Sequence, residues 1–462
     1  MQHVIIGGGP TGMYALDTIR KLDQTAAITL ISDEPAYARM ALPYYLAREI
    51  PEEQLMLGND RFFQEMRVEA RLGRRVTRID PQQRVVTLDD ASTLDFDTLL
   101  IATGSSPTRP AVPGVDGPGI STLWTLQESR DVLTRAREGA KVVFIGAGFI
   151  GFIVLNALHK IGCQLSVIEI KDQILSRMLD RGSAGLVERW LTTKGIAVYT
   201  GATVTEIGDL RDGRKAIRLS DGRTLSADLV IVATGIRPNT DLAQAAGIQV
   251  HEGILANDRL QTNFPFIYAG GDTAQGPDLS TSGQAIHAIQ PTCVDHGRVA
   301  GANMAGATVH YAGSLLVNIL DVAGLHCSSF GLWQDEGREA TVLQNPNRFI
   351  LRKLVWEGDR IVGALFLGPA EDSVMLNDLG MVKGLIQTKV SLGPWKGHLM
   401  KYPLDIRRPY VASRAAERLL QSTTVGRPST DLRFRHLGHT PETRPTAAHH
   451  VMISTQPNMD QP

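Results

Sequence analysis

Two segments of the chain carry three glycines at the spacing G-x-G-x-x-G. They are Gly7–Gly12, with the sequence GGGPTG, and Gly146–Gly151, with the sequence GAGFIG. In this motif the first glycine makes a tight turn, the second lets the backbone approach a pyrophosphate, and the third lets a helix pack closely on a strand. The N-terminus of the following helix offers unpaired N–H groups and a partial positive charge to the phosphates.

Chance accounts poorly for two such motifs in the same setting. Glycine makes up 45 of 462 residues, so three fixed glycines should occur about 0.4 times by chance in this chain. Each motif also stands between a predicted strand and a predicted helix, and a second strand follows. The predicted elements are His3–Ile6, Met13–Leu22 and Ala27–Ile31 in the first unit, and Lys141–Ile145, Phe152–Ile161 and Leu165–Ile168 in the second. This internal duplication predicts two dinucleotide sites.

Acidic residues follow the second strand of each unit. A carboxylate in that place accepts hydrogen bonds from ribose hydroxyls and repels a 2′-phosphate. Glu169 therefore favours NAD over NADP in the second unit, although Lys171 nearby weakens that inference. In the first unit Asp33 is the predicted ribose ligand and Glu34 is the alternative. A surface role is the other interpretation of either acid.

Further along, two apolar strands end in the same tripeptide, Ala-Thr-Gly. These predicted strands are Asp97–Ile101 and Asp228–Val232. After Gly306 the pattern changes to an α+β arrangement, with predicted strands Ser314–Asp321, Arg348–Trp356 and Arg360–Leu367 and predicted helices Glu371–Gln387 and Pro409–Leu420. Residues 421–462 are rich in Thr, Pro, Ser, Arg and His, and this composition predicts a disordered tail.

Composition narrows the class of protein. With 43% hydrophobic and 21% charged residues the chain is globular, and its net charge of -1 creates no field that would attract nucleic acid. It has no run of about 18 apolar residues, so no membrane span is predicted, and its first apolar run is too short for a signal peptide. A cytoplasmic location is expected. The three cysteines are far apart and the histidines are scattered, so no metal site is predicted.

Taken together, these motifs resemble those of the two-dinucleotide flavoprotein reductases, the pyridine nucleotide-disulfide oxidoreductase-like proteins. The resemblance runs from about residue 3 to 306, and more loosely to 420, and it is carried by Gly7–Gly12, Ala102–Gly104, Gly146–Gly151, Ala233–Asn239 and Ile267–Asp272. It implies FAD and NAD(H) as cofactors and an α/β fold with two Rossmann-like three-layer nucleotide-binding domains. The FAD domain would be discontinuous (1–110 and 236–310), with the NAD domain inserted at 111–235 and an α+β interface domain at 311–420.

The resemblance also implies two sets of binding residues. For FAD they are Gly7, Gly9, Pro10, Thr11, Gly12, Asp33, Glu34, Arg39, Val76, Ala102, Thr103, Gly104, Asp272, Pro291 and Thr292. For NAD they are Gly146, Gly148, Phe149, Ile150, Gly151, Glu169, Ala233, Thr234 and Gly235. Asp272 resembles the aspartate that bonds the ribityl and phosphate region of FAD. The stretch from Gln290 to Met304 resembles the helix whose N-terminus faces the flavin pyrimidine edge, where it would offset negative charge on reduced flavin.

Three positions depart from the family pattern. Met40 stands where some relatives carry a redox cysteine, and methionine cannot form a thiolate. This makes the chain more similar to rubredoxin and ferredoxin reductases, or to the flavin half of NADH-dependent nitrite reductases. Ile153 and Tyr44 replace a glutamate and a lysine that pair beside the flavin in other relatives. Tyr44, together with Pro43, is then expected near the isoalloxazine, and no catalytic triad is expected.

The implied activity is that of an NADH:acceptor oxidoreductase. Hydride would pass from NADH to the flavin, and electrons would then pass to a separate small redox protein of the rubredoxin or ferredoxin type, since the chain has no cysteine cluster of its own. One alternative is an NADH oxidase or a reductase of nitrite or a disulfide, in which Cys293 could supply a thiol. Another is a non-catalytic FAD-binding protein. A homodimer, or a place in a larger redox complex, is expected.

Overall fold

The computed structural model describes residues 1–420 of the chain, and the segment expected to be disordered, 421–462, lies outside them. Within the described part the chain forms three cores. Two are built on parallel sheets and one on an antiparallel sheet. None of the helices in this part is long and apolar enough to cross a membrane.

The first core is a five-stranded parallel sheet between two other layers. In spatial order its strands are Ile267–Ala269, Thr98–Ile101, Gln2–Ile6, Ala27–Ser32 and Val68–Leu72. Helices Pro10–Leu22 and Gln290–Met304 share an apolar core with it. So does a three-stranded antiparallel sheet of Val76–Asp80, Val85–Leu88 and Thr93–Asp95. Because both faces are covered, the central strands are nearly continuous apolar runs.

The second core repeats this plan. Its parallel strands are, in spatial order, Ala197–Thr200, Gln164–Glu169, Lys141–Ile145, Leu229–Val232 and Ile120–Ser121. Its helices are Leu126–Arg135, Phe149–Lys160 and Arg181–Thr193, and its antiparallel layer is Val204–Asp209, Lys215–Leu219 and Thr224–Ala227. The two cores confirm the predicted duplication and the Rossmann-like α/β fold.

The duplication extends to individual backbone hydrogen bonds. Gly7 and Gly146, the first residues of the two glycine motifs, each donate an N–H to the neighbouring parallel strand, at the carbonyl oxygens of Ile31 and Ile168, at 2.8 Å. The residues that open the two Ala-Thr-Gly segments, Ala102 and Ala233, likewise donate to the ends of the central strands at 2.8 Å. Both glycine loops are therefore held against an Ala-Thr-Gly segment by the same geometry.

Small elements lie within and between the cores. Ser105–Pro107 pairs with Ile236–Pro238 in an antiparallel ribbon. A small sheet contains Ile254–Leu255, Ala274–Pro277 and Gln284–Ala285. Short α-helices cover Leu42–Leu46, Asp60–Glu65 and Asp241–Ala245, and 3-10 helices cover Arg39–Ala41, Glu52–Leu55, Gly271–Thr273 and Pro346–Arg348.

The third core is a five-stranded antiparallel sheet with helices on it. Its strands are, in spatial order, Val317–Val322, Leu325–Gly331, Arg360–Pro369, Ile350–Glu357 and Glu339–Asn345. Its helices are Ser373–Gln387, Trp395–Lys401, Arg407–Ala412 and Ala415–Leu420. The α+β character agrees with expectation, whereas the exact domain limits stay predictions.

Several element boundaries correct the sequence-based expectations. The helices after the glycine loops begin at Pro10 and Phe149, three residues before the predicted starts, because the last part of each motif already folds as the first helical turn. The strand expected from Ser314 begins at Val317. The helix expected from Pro409 to Leu420 is two helices, because Arg414 adopts a left-handed conformation (φ 56°) that ends a right-handed helix.

Candidate functional site

The three motif glycines of the first loop differ in the space that a side chain would have. Gly7 has a φ of 116°, and a Cβ there would collide with the Ala102 carbonyl oxygen; a Cβ on Gly12 would collide with the Gly7 carbonyl oxygen. A Cβ on Gly9, by contrast, would have no atom within 4 Å. The outer glycines are therefore required by the protein's own packing, and the middle one leaves room for a ligand's phosphates, as a dinucleotide loop needs.

The second glycine loop has the same form. Gly146 has a φ of 102°, and a Cβ there would collide with the Ala233 carbonyl oxygen. A Cβ on Gly151 would lie 3.1 Å from the Ala233 side chain, whereas Gly148 again faces open space. Phe149 and Ile150 are half-buried in the first turn of the helix that follows. The loop therefore fits a second dinucleotide.

The long helices that begin at the expected ligand sites differ from the other long helices in their N-terminal capping. The described part of the chain has six helices of ten or more residues. Side chains cap three of them, with Thr125, Asp180 and Asp372 as the N-cap residues. The other three begin after Gly9, Gly148 and Ile289 and have no side-chain cap. Their first-turn N–H groups and dipoles are thus directed at the places where phosphates and the flavin are expected.

Two helices bring residues that are expected to bind FAD close together. Gly297 and Gly301 on helix Gln290–Met304 lie against the backbone of helix Pro10–Leu22. A Cβ on Gly297 would collide with the Thr11 carbonyl oxygen, and one on Gly301 would lie 2.6 Å from the Ala15 carbonyl oxygen. This close backbone contact sets Thr11, in the first glycine loop, beside the N-terminal half of the second helix.

Asp272 lies in the 3-10 helix Gly271–Thr273, directly after strand Ile267–Ala269. Its Oδ2 accepts a hydrogen bond from Ser105 Oγ at 2.8 Å, and its Oδ1 accepts one from the Cys293 thiol at 3.4 Å. Gly271 packs so closely on Thr11 that a Cβ would lie 2.6 Å from the threonine hydroxyl. The fold thus places Asp272 beside the first glycine loop, as the resemblance implies.

The two acids after strand Ala27–Ser32 have different surroundings. Asp33 is about half exposed and pairs with Arg75 at 2.7 Å. Glu34 is less exposed, and its Oε2 accepts hydrogen bonds from Tyr37 Oη at 2.9 Å and Arg39 Nη2 at 2.7 Å. Both carboxylates lie at the carboxyl edge of the sheet, where the ribose is expected. Which of them meets the ribose stays a prediction.

Arg39 joins two segments of the chain. Besides its bond to Glu34, its Nη1 donates to the Trp124 carbonyl oxygen at 2.9 Å, and its guanidinium lies 5.0 Å from the Trp124 ring centroid. Tyr37 Oη accepts from the Leu126 N–H at 3.2 Å. Arg39 is therefore a structural link between the segment after Glu34 and the start of helix Leu126–Arg135, as well as a candidate neighbour of FAD.

The two Ala-Thr-Gly segments are tied to each other through Asn239. Its side-chain Nδ2 donates to the Thr103 carbonyl oxygen at 2.8 Å, while its backbone carbonyl oxygen accepts from Thr103 Oγ1 and Thr273 Oγ1, each at 2.8 Å. The Asn239 N–H also donates to the Gly104 carbonyl oxygen. Asn239 is absent from the predicted site residues, although its place at the end of the second Ala-Thr-Gly motif is a signal that could have identified it.

Glu169 is held at the mouth of the second glycine loop. Its Oε2 accepts a hydrogen bond from the Ala147 N–H at 2.8 Å, and its Oε1 accepts one from the Lys171 N–H at 2.9 Å. The Lys171 ammonium donates to Ser176 Oγ at 3.1 Å. Thr234, from the second Ala-Thr-Gly segment, bonds the Thr108 carbonyl oxygen at 2.7 Å, and Gly235 is exposed. Glu169 is thus positioned as a ribose ligand would be.

The remaining predicted FAD residues are placed differently from one another. Val76 is buried in the first core. Pro291 is exposed at the start of its helix, and buried Thr292 donates to Ser314 Oγ at 3.1 Å. Pro43 is half-buried, and Tyr44 is 54% exposed on a helix that buries Leu42 and Leu46.

Ile153 occupies an apolar contact. It packs on the same core cluster that contains Leu46, so the short helix Leu42–Leu46 and the helix after the second glycine loop meet through hydrophobic side chains. A lysine beside the flavin would be costly to bury without a partner charge, and the residue at position 153 offers none. The apolar Ile153 is therefore compatible with the missing lysine.

The surroundings of all three cysteines disfavour the thiolate form. Burial, followed by the negative charge of Asp272, raises the pKa of the Cys293 thiol well above its usual value. Burial likewise raises the pKa values of Cys163 and Cys327. Within residues 1–420, no three His, Cys, Asp or Glu side chains converge as a set of metal ligands.

Comparisons with known proteins agree with this geometry. The family model for pyridine nucleotide-disulphide oxidoreductases matches residues 1–290. The epsilon subunit of NADH-dependent phenylglyoxylate dehydrogenase from Aromatoleum evansii is 29% identical over 412 residues, which are 88% of this chain and 96% of that protein. Rhodocoxin reductase from Rhodococcus erythropolis is 33% identical over 315 residues, which are 67% of this chain and 74% of that protein.

A solved structure is similar to this chain over most of its length. The NAD-dependent persulfide reductase from A. fulgidus has a TM-score of 0.79 and 30% sequence identity, covering 85% of this chain and 78% of that one. Two open glycine loops, three uncapped helices and Asp272 make the residues of this chain suitable for FAD and NAD(H). The chain belongs to the pyridine nucleotide-disulphide oxidoreductase family and is an FAD-dependent NAD(P)H oxidoreductase.

Proposed function

We propose that this protein takes a hydride from NADH and passes the electrons to a separate small iron–sulfur protein of the ferredoxin or rubredoxin type. FAD, when bound, would supply the redox chemistry, since a flavin can accept a hydride and release electrons one at a time. The chain's own residues position the two nucleotides against each other.

The observation that carries this proposal is the ribbon between the two nucleotide sites. Strand Ser105–Pro107 directly follows the first Ala-Thr-Gly segment, and strand Ile236–Pro238 directly follows the second. They pair in antiparallel register, and the Thr108 N–H donates to the Gly235 carbonyl oxygen at 2.9 Å. Ser105 also bonds Asp272. Backbone hydrogen bonds thus connect the two Ala-Thr-Gly segments, and this link supports the proposal because hydride transfer between two bound cofactors needs a fixed relative position.

The preference for NADH rests on Glu169. Its carboxylate, fixed by the Ala147 N–H, would bond a 2′-hydroxyl and repel a 2′-phosphate. The NADH-dependent phenylglyoxylate dehydrogenase relative supports the same coenzyme.

Two observations support a separate protein as acceptor. The cysteines are apart from one another, two of them buried, so they offer no ligands for an iron–sulfur cluster within the described residues. Among relatives, rhodocoxin reductase is named for its partner rather than for oxygen or nitrite. The relative that is an epsilon subunit supports an arrangement in a larger redox complex, with a homodimer as the other possibility. A cytoplasmic location stays a prediction.

The alternative is an oxidase or a reductase of a small molecule such as nitrite or a disulfide. A disulfide reductase would need a reactive thiol, whereas Met40 has none and the Cys293 thiol has a raised pKa. A non-catalytic flavoprotein is disfavoured, because the relatives described above are named as reductases or as part of a dehydrogenase.

One experiment separates these functions. The purified protein is mixed with NADH without oxygen, and the flavin absorption band at about 450 nm is followed. The reduced protein is then mixed in parallel with oxygen, nitrite, rubredoxin and ferredoxin. Rapid reoxidation by ferredoxin or rubredoxin supports the proposal. Equal or faster reoxidation by oxygen or nitrite contradicts the proposed acceptor, and failure of NADH to bleach the band contradicts NADH oxidation itself.

A further inference from the structure

His296 makes a buried hydrogen bond to the backbone beside Asp272. It lies in helix Gln290–Met304, and its side chain is 2% exposed. The N–H of Gly271, also buried, donates to His296 Nδ1 at 3.2 Å. Asp272 is the next residue in the chain, so the histidine acts on the turn that presents this carboxylate.

Close packing holds the imidazole ring in place. A Cβ on Gly270 would lie 3.2 Å from the His296 Cβ, so the turn and the helix touch with no room for a larger residue. The Tyr311 ring meets the imidazole edge-on, with centroids 5.0 Å apart, and the Tyr311 hydroxyl is bonded to Ser314 Oγ at 2.8 Å. These contacts therefore fix the position of His296 Nδ1, the acceptor atom.

The hydrogen bond requires the neutral ring. Nδ1 can accept from Gly271 only in the neutral tautomer with its hydrogen on Nε2, since the other tautomer and the protonated ring both carry a hydrogen on Nδ1. The described residues offer this Nε2–H no acceptor, so the tautomer is set by the bond to Gly271 alone. Burial, together with the nearby His287, lowers the pKa of His296 to about 3. The neutral form that the geometry needs is thus the form present at neutral pH.

The turn at Gly271 depends on support from both sides. Its φ of 76° lies in the left-handed region, and the Thr11 hydroxyl blocks any side chain at this position. On the other side, His296 is the partner of the Gly271 N–H. A buried N–H that loses its acceptor is costly, and a glycine turn has many other conformations available. Without the acceptor, the turn would relax and carry Asp272 with it.

We propose that His296 is a positioning residue for FAD, which holds the Gly271–Asp272 turn in the conformation that binds the cofactor. The inference rests on the placement of FAD at Asp272 and is independent of which acceptor the enzyme uses. His296 does not touch the reacting atoms. Its role is to keep the carboxylate ready before FAD binds, so that binding requires no rearrangement of the turn.

The test compares His296→Asn, which offers an amide oxygen near the position of Nδ1, with His296→Leu, which offers no acceptor. The measurement is the rate at which FAD leaves the full-length holoenzyme after dilution, followed by flavin fluorescence. FAD should leave His296→Leu at least about tenfold faster than the wild type, and His296→Asn within about threefold of it. Val299→Ala, a cavity mutation one turn away in the same helix, should lower Tm without accelerating FAD release.

Two outcomes would overturn the proposal. One is a lower Tm for His296→Leu with unchanged FAD release, which would make the histidine merely structural. The other is equal acceleration in both His296 variants, which would mean that the acceptor is unimportant. Asp272→Asn serves as the reference: if it leaves FAD release unchanged, the placement of FAD at Asp272 is wrong. Should His296→Leu not fold, nitrogen-15 spectra of the wild-type holoenzyme decide, since a His296 proton on Nδ1 contradicts the proposal and one on Nε2 supports it.

Discussion

The backbone N–H of Ala147 donates a hydrogen bond of 2.8 Å to the carboxylate of Glu169. A residue of the second glycine loop thereby fixes the side chain that ends the neighbouring strand. The second carboxylate oxygen is held by the N–H of Lys171. The negative charge is thus kept where the coenzyme's 2′ position is expected, while the Lys171 ammonium is bonded to Ser176.

Coenzyme preference should change when this charge is removed. Glu169→Gln keeps the shape of the side chain but no longer repels a 2′-phosphate, so the ratio of kcat/KM for NADPH to that for NADH should rise at least about tenfold. Ferricyanide reduction measures both values. Asp172→Asn removes a nearby exposed carboxylate that pairs with Arg181, and it serves as the control. Equal changes in the two variants would show that Glu169 does not make the distinction.

Tyr44 is predicted to pack near the isoalloxazine. It is more than half exposed while its helix neighbours Leu42 and Leu46 are buried, so its ring is available to a bound cofactor. Tyr44→Ala should shift the flavin absorption spectrum and slow NADH reduction by roughly tenfold, with a smaller effect for Tyr44→Phe, which keeps the ring. Stopped-flow absorbance measures both quantities. If neither variant differs from the wild type, Tyr44 is not beside the flavin.

Cys293 should be dispensable for turnover. Its thiol is bonded to Asp272, and burial raises its pKa, so we expect it to act neither as a nucleophile nor as a redox thiol. Cys293→Ser, which keeps a donor to Asp272, should retain turnover within about twofold of the wild type with its preferred acceptor. Loss of turnover in a variant that still carries its flavin would instead identify a thiol step.

The stability of the third core should depend on Asp378. Burial raises the pKa of Asp378 to about 6, although Arg352 opposes this shift. The folded state then holds a proton that the unfolded state has already lost, so this residue's contribution to stability falls as pH rises from about 4 to about 6. Above that range the ionised carboxylate of Asp378 destabilises the folded state.

Asp378→Asn removes this effect. At pH 8 it should stabilise the protein by on the order of 2 kcal/mol, and at pH 4 the difference from the wild type should vanish. Urea unfolding at both pH values checks the prediction, with Glu371→Gln as an exposed control on the adjacent turn. A gain that is the same at both pH values would assign it to packing rather than to titration.

The amino-acid sequence was sufficient for the nucleotide loops because their chemistry is local. Gly7, Gly12 and Gly146 stand where a side chain would meet the protein's own backbone, and Gly9 and Gly148 where a ligand needs space. These demands leave a spacing that can be recognised without a structure. The duplicated α/β fold followed from that spacing and its strand and helix context, whereas the family and both cofactors also needed the Ala-Thr-Gly segments and the segment that ends at Asp272.

Elements whose burial depends on partners far away in the sequence were harder to predict. Strand Leu325–Gly331 has the sequence LHCSSFG, in which polar residues interrupt the apolar ones, and no sequence pattern predicts it. It is buried throughout because it is a central strand with both faces covered: Leu325 and Cys327 belong to the apolar cluster shared with the second core, and Phe330 belongs to the cluster under the helices of the third core. No local pattern reports that covering, since it is created by chain segments far away in sequence.

The contacts that make a site from the loops were also decided only by the tertiary structure. Asn239 bonds Thr103 across 136 positions of the chain, and the Gly271 N–H reaches His296 across 25. Sequence alone placed the motifs on separate strands and helices, where each side chain has many possible partners. Packing selected one set of partners. The helices touch at Gly297, the residue after His296, and the ribbon of Ser105–Pro107 and Ile236–Pro238 brings Asn239 to Thr103.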